Sequence, residues 1–136
     1  MAFGANAFQI TARSCVVGNL TYPHEHGHNL GMQHNPQNGA PVSQAVYPWS
    51  YGHYHNGVYR TVMSYSNPCT SGCTRHPYMS NPAVTFMGLP TGIADQRDNH
   101  RTGNLIAPIA ANWKTNPIFA DGFESESTAA WTLTEP

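Results

Sequence analysis

The sequence predicts a small domain of the α+β class, and three observations lead to this prediction. Two stretches have helical character, one from about Thr21 to Leu30 and one from Gln96 to Trp113. Short segments with strand character precede the first stretch and lie between the two. Segments rich in Asn, Pro and Gly separate these elements. With 136 residues, the chain can form one domain with a modest core.

The first part of the chain predicts a strand followed by a helix. Residues from Ala7 to Ser14 are expected to form the strand. Thr21 can cap the helix, and Pro23 is tolerated in the first turn, where backbone donors have no intrahelical partner. Gly31 permits a positive φ and is expected to end the helix with a sharp turn.

The middle of the chain predicts mostly irregular structure. Residues 35–58 are expected to form a loop with a short hairpin around Tyr51 to Tyr59, and residues 66–95 are expected to be irregular. His53 and His55 alternate as on one face of a strand. They can form part of a second metal site, but the pattern favours a loop that faces solvent or substrate.

The second helix and the tail differ in character. Pro108 should kink the helix. Its expected apolar side consists of Leu105, Ile106, Ile109, Ala110 and Trp113. Residues 116–136 are acidic and rich in Ser and Thr, which indicates a linker or the start of a further module. We therefore divide the chain into a domain over residues 1–115 and a tail over residues 116–136.

The composition favours a secreted protein and argues against some partners. Charged residues make up 10% of the chain, against about 25% in ordinary domains. A net charge of -1 gives no basis for binding nucleic acid or an anionic membrane, and no stretch approaches a transmembrane span. The first residues lack the pattern of a signal peptide, so we expect any signal to lie upstream. A monomer is expected.

One run carries most of the chemical information: His24-Glu25-His26-Gly27-His28-Asn29-Leu30-Gly31-Met32-Gln33-His34. It fits the pattern H-E-x-x-H-x-x-G-x-x-H. On an α-helix, His24 and His28 share one face, and a turn at Gly31 lets the chain return with His34. Three imidazole ligands leave the fourth tetrahedral position open, as in a catalytic zinc site. The motif therefore predicts Zn2+ bound by these three histidines.

Glu25 is the expected proton acceptor of this site. It is the only acidic residue between Met1 and Ala94. It lies about 100° around the helix from His24, so its carboxylate can reach water at the zinc without ligating the metal. His26 points to the far side of the helix and is excluded as a ligand. The alternative is a histidine-rich surface helix, because the chain contains eight histidines.

The segment Tyr59-Arg60-Thr61-Val62-Met63-Ser64-Tyr65 adds a second signal. Together with the zinc motif, it resembles the metzincin clan of zinc endopeptidases. The resemblance implies that Met63 forms an apolar floor beneath the three histidines. It also implies that Tyr65 approaches the zinc or the transition-state oxyanion. Without the upstream motif, Met63 would be interpreted as an ordinary core methionine.

Further residues resemble bacterial secreted reprolysin-like enzymes, in particular the peptidyl-Asp metallopeptidase group. These residues are Tyr59 to Tyr65, Cys69, Cys73, Ser80-Asn81-Pro82, Gly88 and Asp98-Asn99-His100-Arg101. Two positions depart from the pattern of such enzymes. Asn35 stands where an aspartate is common, and His26 stands where an aliphatic residue is common. Neither departure removes a ligand or the base.

The resemblance also implies a scaffold. A metzincin catalytic domain has an upper subdomain with a twisted sheet that precedes the zinc helix. Only 23 residues precede His24 here, so we expect this upper-subdomain sheet to be largely missing. The chain is then the C-terminal part of a metzincin catalytic domain, with the zinc helix, the methionine turn and a C-terminal helix.

The three cysteines leave two interpretations open. Cys69 and Cys73 are close enough in sequence for a local disulfide, which leaves Cys15 with a partner outside this chain. Alternatively, Cys69, Cys73 and His76 form a metal site, although a fourth ligand is not evident.

The sequence thus predicts a secreted zinc-dependent endopeptidase that acts on peptide or protein substrates. Zinc held by the three histidines activates water, and Glu25 accepts its proton as general base. Tyr65 helps to stabilise the oxyanion. The alternatives are a zinc-binding but inactive truncated remnant and a non-catalytic extracellular interaction module.

Overall fold

The computed structural model describes residues 7–113, and it confirms the α+β class. Helix α1 spans Thr21–Asn29 and helix α2 spans Asn99–Ala110. Single 3-10 turns occur at Arg13–Cys15 and Val42–Gln44. Within residues 7–113, no helix is long and apolar enough to cross a membrane. The proposed tail over residues 116–136 lies outside the described part of the chain.

Five two-residue strands form two small sheets. Their bounds are β1 Tyr54–His55, β2 Tyr59–Arg60, β3 Thr74–Arg75, β4 Thr85–Phe86 and β5 Leu89–Pro90. In the first sheet, β2 lies between β1 and β3, antiparallel to β1 and parallel to β3. The hairpin predicted within residues 51–59 is therefore present as β1 and β2. Strands β4 and β5 form a separate antiparallel hairpin, in a stretch that the sequence predicted to be irregular.

The strand predicted from Ala7 to Ser14 is wrong. This segment has no regular structure until the 3-10 turn at Arg13–Cys15. A strand needs a neighbour for its backbone and a covered face for its side chains, and none of the described strands pairs with this segment. Phe8 and Ile10 are 67% and 85% exposed. Burial of these side chains therefore contributes little to ordering the segment.

A residue with positive φ lies on each side of helix α1. Its N-cap is Leu20, at a φ of 54°, and no side chain caps it. The predicted cap by Thr21 is wrong, because Thr21 is already the first helical residue. At the other end, Gly31 has a φ of 79°, as predicted. The amide of Gly31 donates to the carbonyl of His28 at 2.9 Å, which closes the last turn and reverses the chain.

The small apolar core lies under α1. Met32, Val62 and Met63 are its buried members, and Leu20, Leu30 and Met79 pack against them. Gly27 permits the close approach of this layer to the helix, because a Cβ atom at Gly27 would lie 2.5 Å from the Met63 sulfur. Only glycine therefore fits at this point of the helix without moving Met63.

Helix α2 is held by polar contacts at its first turns. Asp98 caps it by accepting a hydrogen bond from the Arg101 amide at 3.0 Å. Asn99 and Thr102 are fully buried, and the Thr102 hydroxyl lies 2.9 Å from that of Ser50. Buried polar groups with partners of this kind fix a unique packing.

The predicted apolar side of α2 is only partly buried. Leu105 and Ile109 are 45% and 55% exposed, because the helix contacts the domain through the buried polar residues of its first turns. Pro108 lies in the last turn of α2. The sequence pattern identified the helix but not the face that packs.

The cysteine prediction is resolved in favour of the disulfide. Cys69 and Cys73 are bonded to each other, so neither sulfur can bind a metal together with His76. Cys15 is a free thiol.

Candidate metal centre

The imidazole nitrogens of three histidines lie close together beside α1. The helix presents His24 and His28 from consecutive turns, and the reversal at Gly31 returns the chain with His34. The Nε2 atom of His34 lies 3.1 Å from that of His24 and 2.9 Å from that of His28. The ligand atoms of all three residues lie within 4.8 Å of one another. His26 is outside this cluster, with its ring stacked against Tyr22.

The other nitrogen of each ring contacts a backbone carbonyl. The Nδ1 atoms of His24, His28 and His34 lie 2.9, 2.9 and 3.2 Å from the carbonyl oxygens of Val62, Met32 and Asn38. A carbonyl oxygen only accepts hydrogen bonds. Each Nδ1 therefore carries the proton, which leaves the inward Nε2 with a free lone pair when the ring is neutral. Outer contacts of this type orient histidine ligands around metals.

The environment favours the neutral form of the His24 and His34 rings. Burial is the main cause that lowers the pKa of His24 to about 4, and the neighbouring His28 contributes. Burial also lowers the pKa of His34, against the opposing effect of its hydrogen bond to Asn38. Neutral imidazoles are the form that binds metal, so His24 and His34 are in the metal-binding form near neutral pH.

The donor set fits a bound cation. Neutral rings protonated on Nδ1 cannot form hydrogen bonds between their Nε2 atoms. The Nε2 atom of His34 lies 2.9 and 3.1 Å from the other two, and the lone pairs of these nitrogens repel each other. A metal ion between them removes this repulsion. Nitrogen ligands of tetrahedral zinc, each about 2.0–2.1 Å from the ion, lie about 3.3 Å apart. The observed separations are a few tenths of an ångström shorter, which a small outward movement of the rings would correct.

The segment around Met63 lies against this centre. Met63 is fully buried, and its sulfur faces the backbone of Gly27 in α1. The carbonyl of the preceding residue, Val62, is the one that fixes His24. The methionine turn thus touches α1 through both an apolar contact and a polar contact.

Tyr65 lies beside the histidines. Its ring centroid is 4.0 Å from that of His34 and 6.1 Å from that of His24, and its side chain is exposed. The backbone amide of Tyr65 donates to Oδ1 of Asn35 at 2.9 Å. Tyr65 is therefore held next to the centre while its ring remains open to solvent.

Asn35 explains one departure noted in the sequence. It is fully buried, and its Nδ2 donates to side-chain oxygens of Gln37 and Asn38 at 3.0 and 2.9 Å. An aspartate could accept the bond from Tyr65 but could not donate to these two oxygens. The asparagine thus suits this loop. The sequence contains one sign of this role: Asn35 directly follows His34, where a buried polar residue can fix the loop.

Glu25 is half-buried one residue after His24. Among residues 7–113, its carboxylate has no hydrogen-bond or ion-pair partner. Its charge raises the pKa of His34, although burial dominates that pKa. The carboxylate is therefore near the centre and free to contact water or a ligand.

His53 and His55 form a separate pair. Their ring centroids are 4.8 Å apart, and His53 is buried. Arg97 donates from Nη1 to Nδ1 of His53 at 3.1 Å. Across the described residues, the only cluster able to hold a metal is that of the three histidines at α1. An arginine beside His53 also disfavours a second cation there.

This pair gives a pH prediction. Burial, followed by the charges of Arg97 and His55, lowers the pKa of His53 from 6.5 to about 4. Below pH 6.5 the unfolded chain therefore binds a proton that the folded chain does not, so stability falls as the pH drops from 6.5 to 4. At pH 5 the loss from His53 is about 2 kcal/mol.

Urea unfolding of the zinc-free chain at pH 7 and pH 5 measures this loss. In His53→Asn the drop in unfolding free energy between these pH values should be smaller by about 2 kcal/mol than in the parent chain. An equal drop in both proteins would show that other groups cause the pH dependence. His24 is the leading alternative, because burial also lowers its pKa to about 4.

Two histidines on one face of a helix, a third histidine after a glycine turn and a buried methionine packed against the same helix are features of the metallopeptidase class. The chain belongs to the reprolysin-like metallopeptidase family M12B, whose family model matches residues 4–97. No solved structure is significantly similar to it.

Several bacterial relatives carry the name peptidyl-Asp metalloendopeptidase. The chain is 38% identical to the Xanthomonas campestris protein over 110 residues, which are 79% of this chain and 25% of that protein. It is 34% identical to a Stenotrophomonas maltophilia protein over 114 residues, 79% of this chain and 26% of that protein. The Pseudomonas fragi protein is 32% identical over 106 residues, 74% of this chain and 64% of that protein. The chain thus spans about a quarter of the first two relatives.

Proposed function

We propose that this chain carries the catalytic centre of a secreted zinc-dependent endopeptidase. The observation that supports this most strongly is the convergence of three Nε2 atoms, each oriented by a carbonyl on the opposite side of its ring. His24, His28 and His34 would hold the ion. Zinc bound there supplies a Lewis acid that polarises the scissile carbonyl and lowers the pKa of water toward about 7.

Glu25 is the general base in this proposal. Its position next to His24 on α1 puts a carboxylate beside the ligand set without making it a fourth protein ligand. Since no described residue forms an ion pair or a hydrogen bond with the carboxylate, it is available to accept a proton from the attacking water. The same carboxyl group then delivers the proton to the leaving amine.

Tyr65 contributes to binding the oxyanion. Its ring lies against His34, and its backbone amide is held by the buried Asn35. The phenol hydroxyl is a hydrogen-bond donor on an exposed ring beside the centre. A donor positioned before the reaction stabilises charge that develops on the carbonyl oxygen.

The names of the relatives support a proposal for the substrate class. The relatives carry the name peptidyl-Asp metalloendopeptidase, which specifies an aspartate. We therefore propose that the chain hydrolyses peptide bonds next to an aspartate residue.

The test is hydrolysis of a fluorogenic peptide that contains one aspartate. We expect cleavage by the zinc-loaded chain, loss of cleavage when a chelator removes the metal, and recovery when zinc is restored. Zinc binding without cleavage would contradict the proposal and favour an inactive remnant. Failure to bind zinc would favour an interaction module.

A further inference from the structure

Two arginines lie side by side on the central sheet. Arg60 in β2 and Arg75 in β3 are direct partners in the parallel register of these strands. The charge of Arg75 lowers the pKa of Arg60, although burial is the larger cause. Like charges placed opposite each other on neighbouring strands destabilise a sheet. A negative charge bound near both guanidinium groups would reduce this repulsion.

No carboxylate among the described residues forms an ion pair with either arginine. Burial lowers the pKa of Arg75, and the charges of Tyr65 and Glu25 oppose this shift without pairing with the guanidinium. Glu25 is the only acidic residue before Asp95 in the sequence. Within residues 7–113, the single ion pair joins Arg101 to Asp95. Neither Arg60 nor Arg75 thus has a carboxylate within ion-pair distance in the described part of the chain.

Both guanidinium groups are held in place and still have donors to offer. Arg60 donates from Nη1 to the carbonyl of Ser64 at 2.6 Å, and Arg75 donates from Nη1 to the carbonyl of Asn19 at 2.8 Å. The Nε atoms of both arginines are buried without a hydrogen-bond partner. A guanidinium has five N–H donors, and buried donors in native proteins are nearly always paired. Two oriented guanidinium groups, each with an unpartnered Nε–H, mark a place where an acceptor can bind.

The two side chains line a cavity of about 530 Å³, whose wall also includes residues 18–21 and Thr74. The cavity lies at the N-terminal end of α1, one helical turn before His24. Thr21 begins α1, three residues and about 4.5 Å of helix rise before His24. The carbonyl bound by Arg60 belongs to Ser64, the neighbour of Tyr65. The charge of Arg75 also lowers the pKa of both His24 and His34.

We propose that Arg60 and Arg75 form the subsite that binds the side-chain carboxylate of the substrate's aspartate. This inference rests on the proposed function, which it deepens by assigning the residues that select the substrate. A guanidinium matches a carboxylate with two parallel hydrogen bonds. The carboxamide of an asparagine offers no negative charge and only one oxygen, so the subsite distinguishes the two side chains.

The kinetic test compares two peptides that differ only by Asp or Asn at the cleavage position. In Arg75→Gln and Arg60→Gln, kcat/KM for the Asp peptide should fall about tenfold to a hundredfold. The value for the Asn peptide should change less than threefold. Arg13→Gln removes an exposed arginine outside this cavity and should leave both values unchanged. An equal fall for both peptides in Arg75→Gln would overturn the assignment.

A binding test on the unmodified chain does not depend on activity. The arginine Nε–H signals of the zinc-loaded protein are followed by NMR as N-acetyl-L-aspartate N-methylamide is added. We expect two signals to shift, and to shift much less with the asparagine analogue. If the chain cleaves Asp peptides but its arginine signals do not shift, the subsite assignment is overturned and the proposed function stands. Shifts with inorganic phosphate but not with the aspartate compound would also overturn the subsite assignment. Shifts without any cleavage would support the subsite and contradict the proposed function.

Discussion

Glu25→Gln is expected to lower kcat/KM for peptide hydrolysis by about 10²- to 10⁴-fold, the range contributed by general acid–base catalysis. Glutamine has nearly the same shape but cannot accept the proton of the attacking water. The three histidines are unchanged in this variant, so zinc content should stay at that of the parent chain. Zinc analysis and initial rates on one protein preparation measure both quantities.

The matched control is Asp95→Asn, which neutralises an exposed carboxylate in the ion pair with Arg101. This variant should retain zinc and activity. Zinc-dependent turnover at the parent rate in Glu25→Gln would remove Glu25 from the mechanism. Loss of zinc from the same variant would instead give Glu25 a role in binding the metal.

His34→Ala is expected to weaken zinc binding by more than a hundredfold and to abolish hydrolysis with it. Loss of partners outside the ligand shell already costs about 10- to 100-fold in metal affinity or activity, and His34 is itself one of the three converging ligands. Because His34 lies beyond the end of α1, the substitution leaves the helix sequence intact. Competition with a chelator of known affinity measures the loss.

His26→Ala is the control for this experiment. The same type of side chain is removed from α1, at a position that stacks on Tyr22 and lies outside the cluster. Zinc affinity should remain within about threefold of the parent value, since no ligand or outer contact is lost. Equal losses in His26→Ala and His34→Ala would indicate binding by exposed histidines in general.

Features encoded by local spacing were predictable from the sequence. The separation of His24 and His28 follows from the helix repeat, and the positive φ of Gly31 follows from the absence of a Cβ atom. The bond between Cys69 and Cys73 also joins residues close in sequence. In each case, the contact closes within a few residues, so the pattern alone indicates it.

Features that depend on distant contacts were missed or mispredicted. The segment from Ala7 to Ser14 has strand-like residues, but no described strand pairs with it. The apolar side of α2 has helical spacing, yet the helix packs through the polar residues Asn99 and Thr102. Propensity and periodicity report the chain's local preference, and tertiary packing overrides them.

The pairing of Arg60 with Arg75, 15 positions apart in sequence, depends on the register of two-residue strands. Strands this short leave no alternating pattern from which a register can be predicted. The sequence does contain one indirect signal, because these arginines lie in a stretch whose single carboxylate is Glu25. Such a scarcity of acidic residues around arginines is consistent with a bound anion, but it does not indicate which arginines meet.

X-ray absorption at the zinc edge tests the central claim most directly, because it counts the imidazole ligands of the metal. The zinc-loaded chain should show three imidazole nitrogens at about 2.0–2.1 Å and a further light-atom ligand, with no sulfur. In His34→Ala, the zinc that remains bound should have two imidazole ligands. A zinc–sulfur distance of about 2.3 Å, or an unchanged imidazole count in His34→Ala, would contradict a centre built from His24, His28 and His34.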